Sequence, residues 1–295
     1  MREKVVISLT TLPTRLDKLL VTLKSLNNQT VPPDEIYLTL PINCERLNMK
    51  YSDITDQVKN LCTIVKIDQD YGPITKIVGA LKKEKDPDTI IITVDDDIIY
   101  PPTLIEDLMY WHGKYPDSAL GSSGLAIGSY PFRYSLIFNQ EHQNHWFTMK
   151  PSSRRNKTDI IYGYAGALYK RYMFPSYSDL YDELLSYCME DRDLFLNDDV
   201  VLSCYLNKQE ISRRIVRIDE VIEQPRSNND ALSLDTYTFF TSLVRAVNKC
   251  DEMGWVRKKA YVHPKETFGA VALLIILLII GGIIILNKLR HYYYN

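Results

Sequence analysis

Short runs of aliphatic and β-branched residues alternate with stretches of helical periodicity along most of this chain. Residues 4–9 (KVVISL) form one such run, which ends in the turn-like Thr10-Thr11-Leu12-Pro13-Thr14-Arg15. Leu16, Leu19, Leu20, Leu23 and Leu26 then recur at helical spacing, so the pattern predicts a strand, a loop and a helix. The alternation continues: residues 35–40 (EIYLTL) and 62–67 (CTIVKI) read as strands, 76–83 as a helix, and 89–94 (TIIITV) as a wholly apolar strand. Apolar strands interleaved with helices predict an α/β domain whose mostly parallel sheet is covered on both faces. Ligands of such sheets bind beyond the carboxyl ends of the strands, which directs attention to the residues after Leu9, Ile67 and Val94.

Composition changes this picture little. With 45% hydrophobic and 24% charged residues the chain reads as an ordinary folded protein, and a net charge of −2 lacks the basic excess of nucleic-acid binders, so no nucleic-acid partner is expected. Cys44, Cys62, Cys188, Cys204 and Cys250 form no CxxC pair, which suits reduced thiols in a cytosolic compartment. One stretch stands apart: residues 268–286 (FGAVALLIILLIIGGIIIL) carry no charge and as a helix would extend about 28 Å, so a transmembrane helix is predicted there. Arg257, Lys258, Lys259 and Lys265 before it, against Lys288 and Arg290 after it, place the large N-terminal part in the cytosol by the positive-inside rule. The start of the chain shows no secretory signal. The expected organisation is a domain over residues 1–264, a single C-terminal anchor over 268–286 and a short tail over 287–295, with a membrane as partner.

Candidate chemistry sits at the predicted strand ends. Asp95, Asp96 and Asp97 follow the apolar strand, and adjacent carboxylates repel unless a cation or donors compensate them, a pattern suited to Mg²⁺ or Mn²⁺. The bland alternative is a solvated turn before Pro101. A second acidic group, Asn197-Asp198-Asp199, opens a helical stretch, where helix capping competes with proton abstraction as its role. Asp70-Tyr71-Gly72-Pro73-Ile74-Thr75-Lys76 leads from a strand into a helix, a place where backbone N–H groups and Lys76 suit an anion. Gly163-Tyr164-Ala165-Gly166 puts small residues on a strand that a ligand or another backbone can approach closely. Trp111, Tyr130, Trp146 and Tyr164 lie between the two acidic groups as aromatic candidates for an acceptor site. His142 and His145, spaced i, i+3, fit no metal motif.

In this order these segments resemble the GT-A fold glycosyltransferases, in particular a GT2-like branch found in bacteria and in large DNA viruses of algae, including capsid-glycan transferases. The resemblance runs from about Val5 to Gln209 and rests on the first-strand loop, the Asp70-Tyr71-Gly72-Pro73 segment, a DxD motif as Asp95-Asp96-Asp97, the glycine segment and Asp198-Asp199-Val200-Val201-Leu202-Ser203. It implies a GT-A, Rossmann-like sheet and a nucleotide-diphosphate sugar, UDP- or GDP-linked, as donor. Thr10, Pro13 and Arg15 would contact the nucleotide, Asp70 the base, Lys76 its charged region, and Asp95 and Asp96 the nucleotide sugar. Asp97, with Asp95, would hold Mn²⁺ or Mg²⁺. Asp199, or its neighbour Asp198, would be the general base of an inverting displacement, and Gly163, Tyr164, Gly166 and Trp146 would flank a glycan, glycolipid or glycoprotein acceptor. Two departures stand out. The family's Glu-Asp pair is Asp-Asp here, and only His263 sits where some members carry a metal-ligating His.

Two other classes compete with this reading. A Mg²⁺-dependent phosphatase or nucleotidyltransferase would use the same carboxylates, but the dehalogenase-type pattern DxDxT is broken by Ile98-Ile99 after Asp97. A non-catalytic, tail-anchored adaptor would keep the fold without metal dependence.

Overall fold

The computed structural model describes residues 2–125, 148–149, 157–224 and 236–255. Twelve strands and eight α-helices follow one another along them. The first half contains β1 (Val5–Thr10), α1 (Leu16–Asn27), β2 (Glu35–Pro41), β3 (Asn43–Cys44), β4 (Met49–Lys50), α2 (Asp56–Lys59), β5 (Thr63–Ile67), α3 (Thr75–Lys83), β6 (Ile90–Thr93), β7 (Ile98–Ile99) and α4 (Leu104–Lys114). The second contains β8 (Ser118–Leu125), β9 (Thr148–Met149), β10 (Ile160–Lys170), α5 (Ser186–Glu190), α6 (Arg192–Leu196), α7 (Asp198–Lys208), β11 (Ser212–Ile215), β12 (Ile222–Glu223) and α8 (Thr236–Glu252). The strands and helices read from the sequence between residues 4 and 94 stand within a residue or two of these bounds.

Seven strands form the main path of one sheet in the order β11-β8-β10-β6-β1-β2-β5, with β9 paired to β8. Six of the seven run in one direction; β10 alone is reversed, antiparallel to both β6 and β8. Period-two alternation then divides the apolar side chains between two cores. Val5, Ile7 and Leu9 of β1 and Ile90 and Ile92 of β6 join Leu19, Leu23 and Leu26 of α1 and Leu104 and Leu108 of α4 on one face. Val6 and Ile91 point the other way, into Ile77, Val78 and Leu81 of α3, Val200 and Val201 of α7, and Leu243 and Val247 of α8. Burial on both faces explains why these strands are apolar at nearly every position, and the α/β, mostly parallel architecture expected from the sequence is the one found.

The membrane part of that expectation is corrected. Among the described residues no helix is long and apolar enough to cross a membrane. The longest, α8, has 17 residues, about 26 Å, and carries Arg245, Lys249, Asp251 and Glu252, so both its length and its charge are wrong for a bilayer core. Residues 268–286, on which the transmembrane helix and the cytosolic membrane-face location were placed, lie outside the described residues. The C-terminal transmembrane helix is therefore removed from the fold class, and the location that depended on it is removed as well.

The contact that seats α3 on the sheet is unusually close. A Cβ on Gly79 would overlap the Oγ1 of buried Thr39 on β2. Alanine is the better helix former by about 1 kcal/mol, but overpacking a buried contact costs about 1–3 kcal/mol. Gly79→Ala should therefore lower the unfolding free energy measured in urea, and an increase would show that α3 moves away from β2 without penalty.

Candidate functional site

The first acidic group sits just past β6, at the carboxyl end of the parallel strands, and its three residues have separate environments. Asp96 turns inward: Thr11 Oγ1 donates to its Oδ2 at 2.5 Å and Arg15 Nη1 to its Oδ1 at 2.8 Å. Arg15 also lies 3.2 Å from Asp97 Oδ2, so one guanidinium ties the loop after β1 to two of the three carboxylates. Burial opposes the charge of Arg15, and Asp96 and Asp97 more than offset it, holding the guanidinium pKa above its ordinary value. Asp95 and Asp97 keep more open side chains, 33% and 20% exposed against 7% for Asp96. The backbone of the turn is held as well. Asp95 N–H donates to Tyr100 Oη at 2.8 Å, and that hydroxyl donates to the carbonyl of Tyr164 on β10 at 2.7 Å.

Lys76 joins this turn to the second acidic group. Its carbonyl accepts from Ser8 Oγ on β1 at 2.5 Å, which fixes the first turn of α3 on that interior strand. Its Nζ lies 2.5 Å from Asp95 Oδ1 and 3.0 Å from Asp198 Oδ2, the second contact an ion pair without hydrogen-bond alignment. Burial would depress the ammonium pKa, yet the charges of Asp198, Asp95 and Asp199 hold it well above the ordinary value. Lys76, expected at the charged region of a nucleotide, has its ammonium enclosed between these protein carboxylates.

Asp198 and Asp199 begin α7, but they do not cap it. The N-cap residue is Asn197, which makes no side-chain cap bond and spends its amide on Asp193 O at 2.7 Å and Ser242 Oγ at 2.8 Å. Asp199 Oδ1 instead accepts from Gly163 N–H of β10 at 3.0 Å. Burial pushes the Asp199 carboxyl well above the usual range, the charges of Asp198 and Asp95 add to this, and Lys76 and the Gly163 N–H oppose it. A Cβ at residue 163 would stand 3.0 Å from that same oxygen, which accounts for glycine there. Gly166 differs: at φ +97° within the register shift between Tyr162 and Ala167, it packs against Leu104, and it is a feature of the β10 bulge. Tyr164, between them, is 38% exposed.

Asp70 shapes a loop. Its Oδ1 accepts from Gly72 N–H and its Oδ2 from Glu45 N–H, each at 2.8 Å, and the carboxylate is buried, which raises its pKa against those donors. Both oxygens expected to read a base are thus committed to the protein's own backbone. Thr10 donates to Thr39 O at 2.8 Å, and Pro13 begins a single 3₁₀ turn that ends at Arg15. Trp111, near the end of α4, donates from Nε1 to the carbonyl of Arg217 at 2.8 Å and stacks on Tyr115 with its ring centroid 6.2 Å away. Trp146, Tyr130, His142, His145 and His263 lie outside the described residues.

Among the described residues, no group of three or more His, Cys, Asp and Glu side chains is gathered as a metal site. The residues the sequence reading missed are the neutral ones that hold the acidic turn: Thr11, Thr22, Tyr100 and Gln224. Thr11 and Tyr100 carried a local signal, by their places in the loop after the first strand and in the segment Asp95–Pro101. Compared with known proteins, the chain matches no protein-family model and no curated protein.

The environment of Asp199 has a consequence for stability. Its proton is held more tightly in the folded chain than in the unfolded one, so its contribution favours folding below the ordinary carboxylate pKa and is lost as pH rises toward the folded value. Asp199→Asn retains an oxygen for Gly163 N–H and removes the charge. In chelator its melting temperature should exceed that of the parent at about pH 8, with the gap closing toward about pH 4; a less stable variant at the higher pH contradicts this assignment.

Proposed function

We propose that the chain is a metal-dependent, inverting glycosyltransferase, moving a sugar from a uridine or guanosine diphosphate sugar to a hydroxyl of a glycan, glycolipid or glycoprotein. The observation that carries this reading is the meeting of two acidic groups across buried Lys76 at the carboxyl end of a mostly parallel sheet. One group offers open carboxylates and the other a carboxyl with a raised pKa, the division of labour that a bound leaving group and a base require.

Asp95 and Asp97 fit a hard divalent cation, Mn²⁺ or Mg²⁺. Both present carboxylate oxygens from one turn at the carboxyl end of the sheet, the hard donors that such an ion takes. One or two carboxylates completed by phosphate oxygens are a common donor set for a nucleotide-bound ion of this kind. When bound it would neutralise charge on the departing diphosphate. The protein's own groups do the rest. The loop with Thr10, Pro13 and Arg15 is assigned to the nucleotide, while Asp96 and Asp70 keep that neighbourhood in shape. The acceptor oxygen attacks the anomeric carbon opposite the diphosphate, its proton passes to Asp199, and the breaking carbon–oxygen bond leaves its electron pair on the diphosphate. Since Gly163 N–H occupies Oδ1, Oδ2 is the oxygen assigned to take the proton. Exposed Tyr164 offers an aromatic face on the acceptor side.

The test is release of nucleoside diphosphate by the full chain from a panel of UDP- and GDP-sugars, with Mn²⁺ and then with chelator. One donor should turn over, and chelator should abolish it. Asp97→Asn should lose metal-dependent nucleotide binding, whereas Asp199→Asn should keep binding within about twofold and lose turnover by about 100-fold or more. No turnover and no metal-dependent binding of any nucleotide would overturn the reading in favour of a non-catalytic domain.

A further inference from the structure

The acidic turn is held from a distant part of the chain. Beyond β11 the backbone returns to the site as β12, whose Ile222 and Glu223 pair antiparallel with Ile99 and Ile98 of β7. The next residue, Gln224, extends that ladder: its N–H donates to the carbonyl of Asp97 at 2.8 Å. Its side-chain amide donates to Thr22 Oγ1 on α1 at 2.8 Å, 202 residues away in sequence, with a longer approach of 3.5 Å to Lys18 O. Thr22 Oγ1 in turn sits 2.8 Å from the carbonyl of Asp96 and 2.7 Å from that of Ile98. Gln224 is 7% exposed and Thr22 fully buried, so water cannot stand in for either partner. A glutamine and a threonine thereby fix three successive carbonyls, those of Asp96, Asp97 and Ile98, while their side chains touch no carboxylate in the site.

We infer that Gln224 is a positioning residue, the outer half of a two-residue clamp with Thr22 that sets the spacing of the Asp95 and Asp97 carboxylates. This rests on the glycosyltransferase reading for its functional consequence, and on geometry alone for the clamp. Two carboxylates that share an ion must be held at a fixed separation. Side-chain freedom at Asp95 and Asp97 is limited by Lys76 and Arg15; the clamp limits the backbone from Asp96 to Ile98, and Tyr100 Oη holds the Asp95 N–H before it. Loosening it should weaken capture of the metal–diphosphate unit while leaving Asp199, seated on β10, in place.

The experiment compares the full chain with Gln224→Ala, Thr22→Val and the double variant, using Mn²⁺ with UDP and Mn²⁺ with GDP as binding probes. Amide hydrogen exchange over residues 95–99 is followed alongside. Each single variant should speed exchange over that stretch and leave β1 and β2 unchanged. Each should weaken Mn²⁺-dependent nucleotide binding roughly tenfold, and raise the donor KM by a similar factor with kcat within about twofold. The double variant should be no worse than the weaker single one, as expected of two residues acting through one contact. Unaltered exchange over 95–99, additive losses in the double variant, or a fall in kcat at unchanged KM would each overturn the clamp. A parent chain that binds neither nucleotide would instead count against the glycosyltransferase reading, and the exchange result would still decide the clamp.

Discussion

An ammonium buried beneath two acidic groups keeps its charge only if carboxylates match it, and Lys76 is matched by Asp95 at 2.5 Å and Asp198 at 3.0 Å. The match works in both directions. Without the lysine, Asp95, Asp198 and Asp199 would crowd one small volume with nothing to offset their repulsion. Its backbone is anchored independently by Ser8 on β1, so the position of the positive charge is set by the sheet and the carboxylates arrange themselves around it. The turn after β6 and the start of α7 come from separate parts of the chain. They meet in one site because both contribute a carboxylate to the same Nζ.

Charge compensation also explains why three adjacent aspartates are tolerated. Asp96 is spent on structure, enclosed by Thr11 and Arg15, and the guanidinium it orients then reaches Asp97. Asp95 is held by Lys76. The turn is thus stabilised by partners drawn from the loop after β1 and from α3, which carry these cations to the carboxyl end of the sheet. Lys76 is shared with Asp198, so the same compensation links the turn to the start of α7. A structural aspartate flanked by two more open ones is therefore a single arrangement, in which the inner residue fixes the geometry that the outer two present.

Local pattern made the scaffold legible and left the partnerships hidden. Apolar runs located β1, β2 and β6 because burial on both faces leaves little choice of residue, and the strand-end rule then led directly to Asp95, Asp96 and Asp97. Gly163 was visible as a small residue on a strand, although its reason, the approach of Asp199 Oδ1, was not. The direction in which a polar side chain turns was not legible. Asp70 faces inward to two backbone amides, and Lys76 faces two carboxylates, since each is decided by partners that only tertiary packing supplies. Thr22 and Gln224 carry no pattern at all. Each is an ordinary polar residue whose partners lie tens to hundreds of positions away.

The reversal of β10 is what gives Asp199 its backbone donor. In a sheet with every strand parallel, the strand beside β6 would end at the carboxyl edge, and its amides there would run on into the following loop. Because β10 runs the other way, Ala167 pairs with Thr93 and the residues before it, including Gly163, extend beyond the end of β6 toward the acidic turn. The register shift between Tyr162 and Ala167 adds residues to that segment, and Gly166, at positive φ, accommodates the bend. One consequence is a free-standing N–H aimed at Asp199; another is the Tyr164 carbonyl that receives the Tyr100 hydroxyl. The same short stretch of reversed strand therefore touches both acidic groups. Its bulge sets their relative position beside Lys76, whose Nζ would stand 3.9 Å from a Cβ at Gly163, so a lysine on one helix and the backbone of one strand hold the site together.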